Sequence, residues 1–368
     1  MIQRVAILGV GLIGGSLGLA WKKNRADLTL VGYDRPAVLE AAVQRGLIDE
    51  RATTLSEAVR PADLVVLAVP LAPMLRVLEE VAPHLQPGTL VTDVGSVKGP
   101  IMAQARQVLT EANPFIGGHP MAGSEKGGVA NADAFLFENA TYVLCPPEGL
   151  TAEALTHHYG DFVALIEATG ARLLVLEAQR HDRIAATVSH LPQLLATTLM
   201  TYAAGFNAED DAFLRLAAGG FRDMTRIASS PFAMWQHILL ANEGPILDAL
   251  AGFATSLQKM RNRIIEEDLE TLNETFSEAR RVRDTIPKDT KGFLHPLADI
   301  YVYAEDRPGV LAHITGTLYE AEINIKDIEL LKIREGTGGA FRLSFSDEAL
   351  ADAAVEVLER AGCRAHRL

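Results

Sequence analysis

Val5-Ala6-Ile7-Leu8-Gly9-Val10-Gly11-Leu12-Ile13-Gly14 decides how the N-terminal half of this chain is read. Four consecutive apolar residues are the signature of a strand buried on both faces. Glycines follow at once, and Ser16, Gly18 and Ala20 let the next helix pack closely on a sheet. Leu28-Thr29-Leu30-Val31-Gly32-Tyr33 is a second strand, and it ends at Asp34, twenty residues beyond Gly14. A glycine turn alone can be purely structural. Strand, turn, helix and a strand-ending acid together form a dinucleotide fingerprint. In that reading Gly9, Gly11 and Gly14 admit a pyrophosphate to the backbone. Leu12 and Ile13 open the helix whose free N–H groups and dipole face it. Asp34 accepts hydrogen bonds from ribose hydroxyls and repels a 2′-phosphate, so NAD is expected over NADP. Arg35, next to it, is the residue that could instead serve a phosphate.

Outward from this unit, strands and helices alternate. Asp63-Leu64-Val65-Val66-Leu67-Ala68-Val69 stops at Pro70, and Thr89-Leu90-Val91-Thr92-Asp93 follows a Pro-Gly turn. Tyr142-Val143-Leu144-Cys145 and Arg172-Leu173-Leu174-Val175-Leu176 continue the same sheet. Such alternation marks an α/β, doubly wound parallel sheet, expected over residues 1–177. Helical periodicity then dominates 178–286, an all-α domain. Its apolar residues cover more than one face, as in Leu194, Leu195, Ala196, Leu199 and Met200, which a buried dimer interface explains. Residues 287–296 read as a linker. The remainder, 297–368, has strands at 299–304, 325–333, 340–345 and 363–368 and helices at 309–321 and 349–361. The order βαββαβ is ferredoxin-like.

Bulk properties narrow the function. The chain has 368 residues, 48% hydrophobic and 22% charged, enough for two or three cored domains. A net charge of −13 argues against nonspecific binding to nucleic acid or anionic membrane, so an anionic substrate needs a local cationic pocket. Cys145 and Cys363 make neither a disulfide framework nor a zinc site, and no metal is expected. With no signal peptide and no membrane-length apolar run, a cytoplasmic protein is expected.

Four segments carry chemistry. Gly117-Gly118-His119-Pro120-Met121-Ala122-Gly123-Ser124-Glu125-Lys126-Gly127-Gly128 sets a histidine, an acid and a lysine among five glycines. That much glycine implies special dihedrals or close backbone approach, and the histidine suits proton transfer beside a cofactor; a plain glycine-rich surface loop is the competing reading. Asp93-Val94-Gly95-Ser96-Val97-Lys98-Gly99 lies at a strand C-terminus, where ligands bind in such sheets. Val188-Ser189-His190-Leu191-Pro192 puts a histidine inside an apolar helix; alone, that is a satisfied core histidine. Gly219-Gly220-Phe221-Arg222-Asp223-Met224-Thr225-Arg226 places two arginines at i and i+4 on one helical face, with partial burial expected from the flanking glycines and apolar residues.

At this point the chain resembles the prephenate and arogenate dehydrogenases of tyrosine biosynthesis. The resemblance spans residues 1 to about 285 on five ordered motifs: GVGLIGGS, DVGSVKG, GGHPMAGSEKGG, VSHLP and GGFRDMTRIASSPFAMW. The C-terminal unit, with Asp306-Arg307-Pro308-Gly309-Val310-Leu311 and Asn324-Ile325, is similar to an ACT domain, a module that binds amino-acid effectors. The resemblance implies NAD-dependent oxidative decarboxylation of prephenate to 4-hydroxyphenylpyruvate, with tyrosine as feedback effector and a homodimer as the working form. It implies that His119, assisted by Ser96, accepts the proton of the substrate C4 hydroxyl. It gives Arg226 a substrate carboxylate, places Arg222 where relatives often carry lysine, and sets His190, Glu125 and Trp235 around the pocket. Asp306, Arg307, Pro308, Gly309, Asn324 and Ile325 are the implied effector site.

Arogenate, or both substrates, remains open, because no residue unambiguously reads the keto or amino end of the side chain. Two remoter alternatives are a β-hydroxyacid dehydrogenase and a non-catalytic NAD-dependent amino-acid sensor. The former uses a helical-domain lysine, against the GGHP histidine and FRDMTR block; the latter is opposed by the presence of both His119 and Ser96.

Overall fold

The computed structural model describes residues 1–123, 127–207, 210–285, 297–305, 307–334 and 338–367. The chain divides into two compact units, Met1–Leu272 and Asn273–Leu368. The expected linker at 287–296 lies outside the described residues, as do Glu125 and Asp306.

The first unit is built on an eight-stranded sheet in the order β3-β2-β1-β4-β5-β6-β7-β8. Its strands are β1 (Arg4–Leu8), β2 (Thr29–Tyr33), β3 (Glu50–Arg51), β4 (Leu64–Leu67), β5 (Leu90–Asp93), β6 (Phe115–Pro120), β7 (Thr141–Cys145) and β8 (Arg172–Val175). Strands β3 through β6 run parallel. The parallel expectation fails at one junction: β7 is antiparallel to β6, and β8 is parallel to β7. The helices between are α1 (Leu12–Asn24), α2 (Pro36–Gln44), α3 (Leu55–Val59), α4 (Leu71–Val81), α5 (Gly99–Val108) and α6 (Ala152–Glu167).

The central strand shows why the apolar run was continuous. Val5 and Ile7 enter a core with Leu17, Trp21 and Phe162, whereas Ala6 and Leu8 enter a second core with Met74, Leu78 and Ile101 on the opposite face. Alternate side chains of a strand point to opposite faces, so a strand covered on both sides must be apolar throughout. Helix α1 is also tied to α6. The Trp21 indole N–H donates to the Leu165 carbonyl at 2.8 Å, and the Asn24 amide donates to the Ala168 carbonyl at 2.7 Å.

The helical part holds α7 (Ala178–Ala185), a π-helical turn (Ala186–His190), α8 (Leu191–Asn207), α9 (Ala212–Arg215), α10 (Gly219–Thr225), a 3₁₀ turn (Arg226–Ser229), α11 (Phe232–Ala241), α12 (Glu243–Ile265) and α13 (Leu269–Thr285). Between α9 and α12 the described side chains are largely exposed, and Leu216, Phe232 and Leu240 are each at least 70% open. Among the described residues no helix is long and apolar enough to cross a membrane.

The second unit carries β9 (Ala298–Ala304), α14 (Val310–Glu320), β10 (Asp327–Arg334), β11 (Gly338–Phe345), α15 (Glu348–Arg360) and β12 (Arg364–Arg367), with sheet order β10-β11-β9-β12. This is the expected βαββαβ arrangement. Ile300, Val302, Leu343 and Phe345 meet Ile314, Leu318 and Leu358 in its core. Asn324 and Ile325, read as the start of a strand, precede β10 by two residues or more.

Candidate active site

The glycine turn after β1 has the form a dinucleotide needs. Gly9 has φ +103°, a backbone region that disfavours side chains, and a Cβ there would lie 2.5 Å from the Ala68 carbonyl oxygen. At Gly11, by contrast, a Cβ would meet nothing within 4 Å, so the turn is open on the side a ligand approaches. Gly11 caps α1, with Leu12 and Ile13 in its first turn. Asp34 accepts the Val10 N–H at 2.8 Å and the Arg35 N–H at 2.7 Å, which fixes the acid beside the turn. Arg35 is exposed. The open cradle, the free helix N-terminus and the fixed acid fit NAD.

The glycine-rich segment is not a surface loop where it begins. Gly117–Pro120 is the end of β6, and every residue of that strand is buried. Glycine at 118 is a packing requirement: a Cβ would lie 2.4 Å from the Asp93 carbonyl oxygen and 3.1 Å from the Tyr142 ring. Beneath it sits a fully buried ion pair. Lys98 Nζ bonds Asp93 Oδ2 and also donates to the Gly118 carbonyl at 2.6 Å. Asp93 accepts the Gly118 N–H at 3.1 Å and the Gly95 N–H at 2.8 Å. Each charge thus has a hydrogen-bond partner beyond the other, which is the condition for burying two charges.

This scaffold presents His119 to a chain of hydrogen bonds absent from the sequence reading. His119 Nδ1 lies 2.8 Å from His181 Nε2, and His181 Nδ1 lies 2.8 Å from Asp182 Oδ1. Asp182 also accepts the Lys98 and Gly99 N–H groups, each at 2.7 Å, at the N-terminus of α5. Three N–H groups therefore donate to the Asp182 carboxylate. The carboxylate accepts a hydrogen bond from His181 Nδ1–H, leaving His181 Nε2 to accept from His119 Nδ1–H. His119 Nε2 then carries the lone pair. Burial pushes the His119 pKa well below its ordinary 6.5, and the positive charge of Lys98 and the neighbouring His181 act in the same direction.

His190 is buried, in the π-helical turn before α8. Its ring meets Trp235 edge to face, with centroids 5.9 Å apart. Burial lowers its pKa to about 4. Asn242, buried between α11 and α12, reaches both Asp182 and His190: its Nδ2 lies 2.8 Å from the Asp182 carbonyl and 3.1 Å from His190 Nδ1. The Trp235 indole N–H is buried without a partner among the described residues. Ser96 is half-buried in the turn after β5, one strand from His119, and makes no side-chain hydrogen bond among the described residues.

The structure corrects the arginine pair. Helix α10 ends at Thr225, and Arg226 opens a 3₁₀ turn, so the two arginines do not share one regular helical face. Both are exposed rather than partly buried, and neither forms an ion pair among the described residues. In the second unit Arg307, Pro308, Gly309 and Asn324 are exposed and Ile325 is half-buried; Gly309 caps α14 with φ +87°.

His181, Asp182 and Asn242 were missed by the sequence reading. The adjacent His-Asp dipeptide was the only signal for two of them, and it is a weak one without the fold.

Comparison with known proteins places these features in context. Residues 17–175 match the prephenate dehydrogenase nucleotide-binding domain, 177–278 the prephenate dehydrogenase dimerization domain, and 298–363 the ACT domain. The chain is 38% identical over 352 residues to a prephenate dehydrogenase of Bacillus subtilis, covering 95% of this chain and 93% of that one. It is similar to the crystal structure of prephenate dehydrogenase from Aquifex aeolicus in complex with hydroxyphenyl propionate and NAD+, at TM-score 0.70 and 31% identity over 78% of this chain and 99% of that one. It is also similar to Synechocystis arogenate dehydrogenase, at TM-score 0.67 and 31% identity over 77% of this chain and 99% of that one.

Proposed function

The chain belongs to the prephenate dehydrogenase family, and from that premise we propose that it converts prephenate, with NAD, to 4-hydroxyphenylpyruvate and CO2. The observation that carries this reading is the hydrogen-bond chain from Asp182 through His181 to His119, which leaves a neutral imidazole with a basic Nε2.

NAD, when bound on the glycine turn and Asp34, accepts the hydride that leaves C4 of the substrate. His119 Nε2 takes the proton of the C4 hydroxyl as the C–O bond becomes a carbonyl. The bond from the ring to its carboxylate breaks, CO2 departs, and the electron pair completes the aromatic ring. The phenolate oxygen then recovers the proton from His119, so the reaction releases no net proton. His181 shares the transient charge on His119 and holds its ring orientation, and Asp182 holds His181. Ser96 steadies the C4 oxygen. Arg226 holds a substrate carboxylate, for which a guanidinium fork is suited, with Arg222, Glu125, His190 and Trp235 completing the pocket.

The working form is a cytoplasmic homodimer. The matched dimerization domain and the exposed Leu216, Phe232 and Leu240 support a partner across the helical part. We read the chain as 1–177, 178–286 and 297–368 with a linker at 287–296, and the three family matches support a three-part division. The ACT unit binds an amino-acid effector, tyrosine, at 306–309 and 324–325. The deciding experiment is NADH formation by the purified chain with prephenate and with arogenate, using His119→Asn as control. No turnover of either substrate would refute the assignment, and turnover of arogenate alone would move it to that substrate.

A further inference from the structure

Asn242 holds a position that the reaction itself does not explain. Its Nδ2 contacts a main-chain carbonyl, that of Asp182, and a ring nitrogen, Nδ1 of His190. The oxygen and nitrogen of an amide are usually assigned from their partners. Here the carbonyl settles the matter, because only an NH2 group can sit 2.8 Å from it favourably. That NH2 has two protons, and the second points to His190 Nδ1. A nitrogen that accepts a hydrogen bond carries no proton in the neutral ring, so the proton of His190 resides on Nε2. Nε2 has no protein partner among the described residues, although His190 is only 1% exposed. Its neighbour Trp235 likewise has a buried indole N–H without a partner.

We propose that Asn242 is a positioning residue that fixes His190 as its Nε2–H tautomer, so that His190 offers the substrate a neutral hydrogen-bond donor and never an acceptor. The proposal rests on the dehydrogenase reading for the identity of the substrate, but not for the tautomer. Asn242 also binds the main chain of Asp182, whose side chain orders His181 and His119. One residue pair therefore sets opposite states in two histidines. The ring reached through the Asp182 carboxylate presents a lone pair, and the ring reached through the Asp182 carbonyl and Asn242 presents a proton. Asp182 and His181 are the titratable groups on α7 that face His190, and neither touches its Nε2.

The test uses the full chain labelled with ¹⁵N-histidine, with His190→Gln serving only to assign the His190 signals. In the free wild-type protein at pH 8, His190 should show an unprotonated Nδ1 and a protonated Nε2. In Asn242→Asp the carboxylate can only accept, from an Nδ1–H, and the pattern should reverse. With prephenate at the same pH, Asn242→Asp should raise KM roughly tenfold, the fold-change carried by one lost ligand hydrogen bond. It should leave the KM for NAD unchanged, a split that a general loss of structure does not produce. A wild-type His190 protonated on Nδ1 would overturn the proposal, as would an unchanged tautomer in Asn242→Asp. The wild-type spectrum decides alone if the variant does not fold. Failure of the wild type to turn over prephenate would instead remove the dehydrogenase reading and leave the tautomer result standing.

Discussion

His119 and His181 meet nitrogen to nitrogen, with ring centroids 5.0 Å apart and planes inclined at 72°. The edge-to-face arrangement lets one ring nitrogen aim its N–H at the lone pair of the other. Replacing His119 by asparagine keeps a polar group of similar reach but removes the base. kcat should fall by roughly 10²–10⁴, the usual worth of general acid–base catalysis. Circular dichroism and NAD binding should match the wild type. A variant with near-normal turnover would take His119 out of the reaction.

The pH dependence follows from burial. His119 is held below its ordinary 6.5, so the basic form persists into mildly acidic solution. kcat/KM should rise with pH through a midpoint below 6.5 and be flat above it. Stability should move in the same sense. His119 and His190 are neutral when folded and take up protons on unfolding, so their contribution is present in full above about 6.5 and is lost as pH falls toward about 4 for His190. Urea midpoints at pH 7.5 and 5.0 check this; equal midpoints would contradict it.

Arg226→Ala should act on substrate. Losing the partner of a desolvated carboxylate costs about 2–5 kcal/mol, so KM for prephenate should rise at least tenfold. The KM for NAD should hardly change. A collapse of NAD binding would assign Arg226 to the cofactor site or to the fold.

Asp34→Ala should narrow the preference for NAD over NADP, read as the ratio of kcat/KM values. Because Asp34 also holds the Val10 N–H, the KM for NAD should rise at the same time. An unchanged cofactor ratio would remove the acid from specificity.

Deleting the chain after residue 287 should leave an active dehydrogenase with reduced sensitivity to tyrosine, since an effector requires two states of different affinity. Tyrosine resembles the product, so inhibition competitive with prephenate can persist. Unchanged, non-competitive inhibition of the shortened chain would locate the effector elsewhere.

Much of this architecture was legible because it rests on local rules. β1, the glycine turn and Asp34 obey one contiguous pattern, and the strands and helices of the ferredoxin-like unit fall within a few residues of their expected positions. β6 was not legible: Gly117, Gly118 and Pro120 are poor strand formers, and the glycines answer to distant residues, Lys98 and Met102 against Gly117 and Asp93 and Tyr142 against Gly118. Nor does sequence periodicity show that β7 turns antiparallel. His119 and Ser96 stood out by motif. Lys98 lay within a quoted motif, but its burial under β6 did not show. His181 and Asn242 act through contacts 52 to 62 residues away along the chain, and no local signal carries such a pairing. Arg226 was read onto the face of Arg222, but the helix ends between them.

The bonds from Trp21 and Asn24 to the backbone after and within α6 have a calorimetric consequence. The helix that carries the phosphate turn is fastened at its far end to α6, its neighbour in the same core. Its position is therefore set before any nucleotide arrives. Binding then orders little protein, and its heat-capacity change should correspond to the surface of the nucleotide and its cradle alone. Replacing Trp21 by phenylalanine keeps most of the buried ring but frees the Leu165 carbonyl. Titration of that variant should show a more unfavourable binding entropy, the signature of a helix that has to be caught as well as occupied.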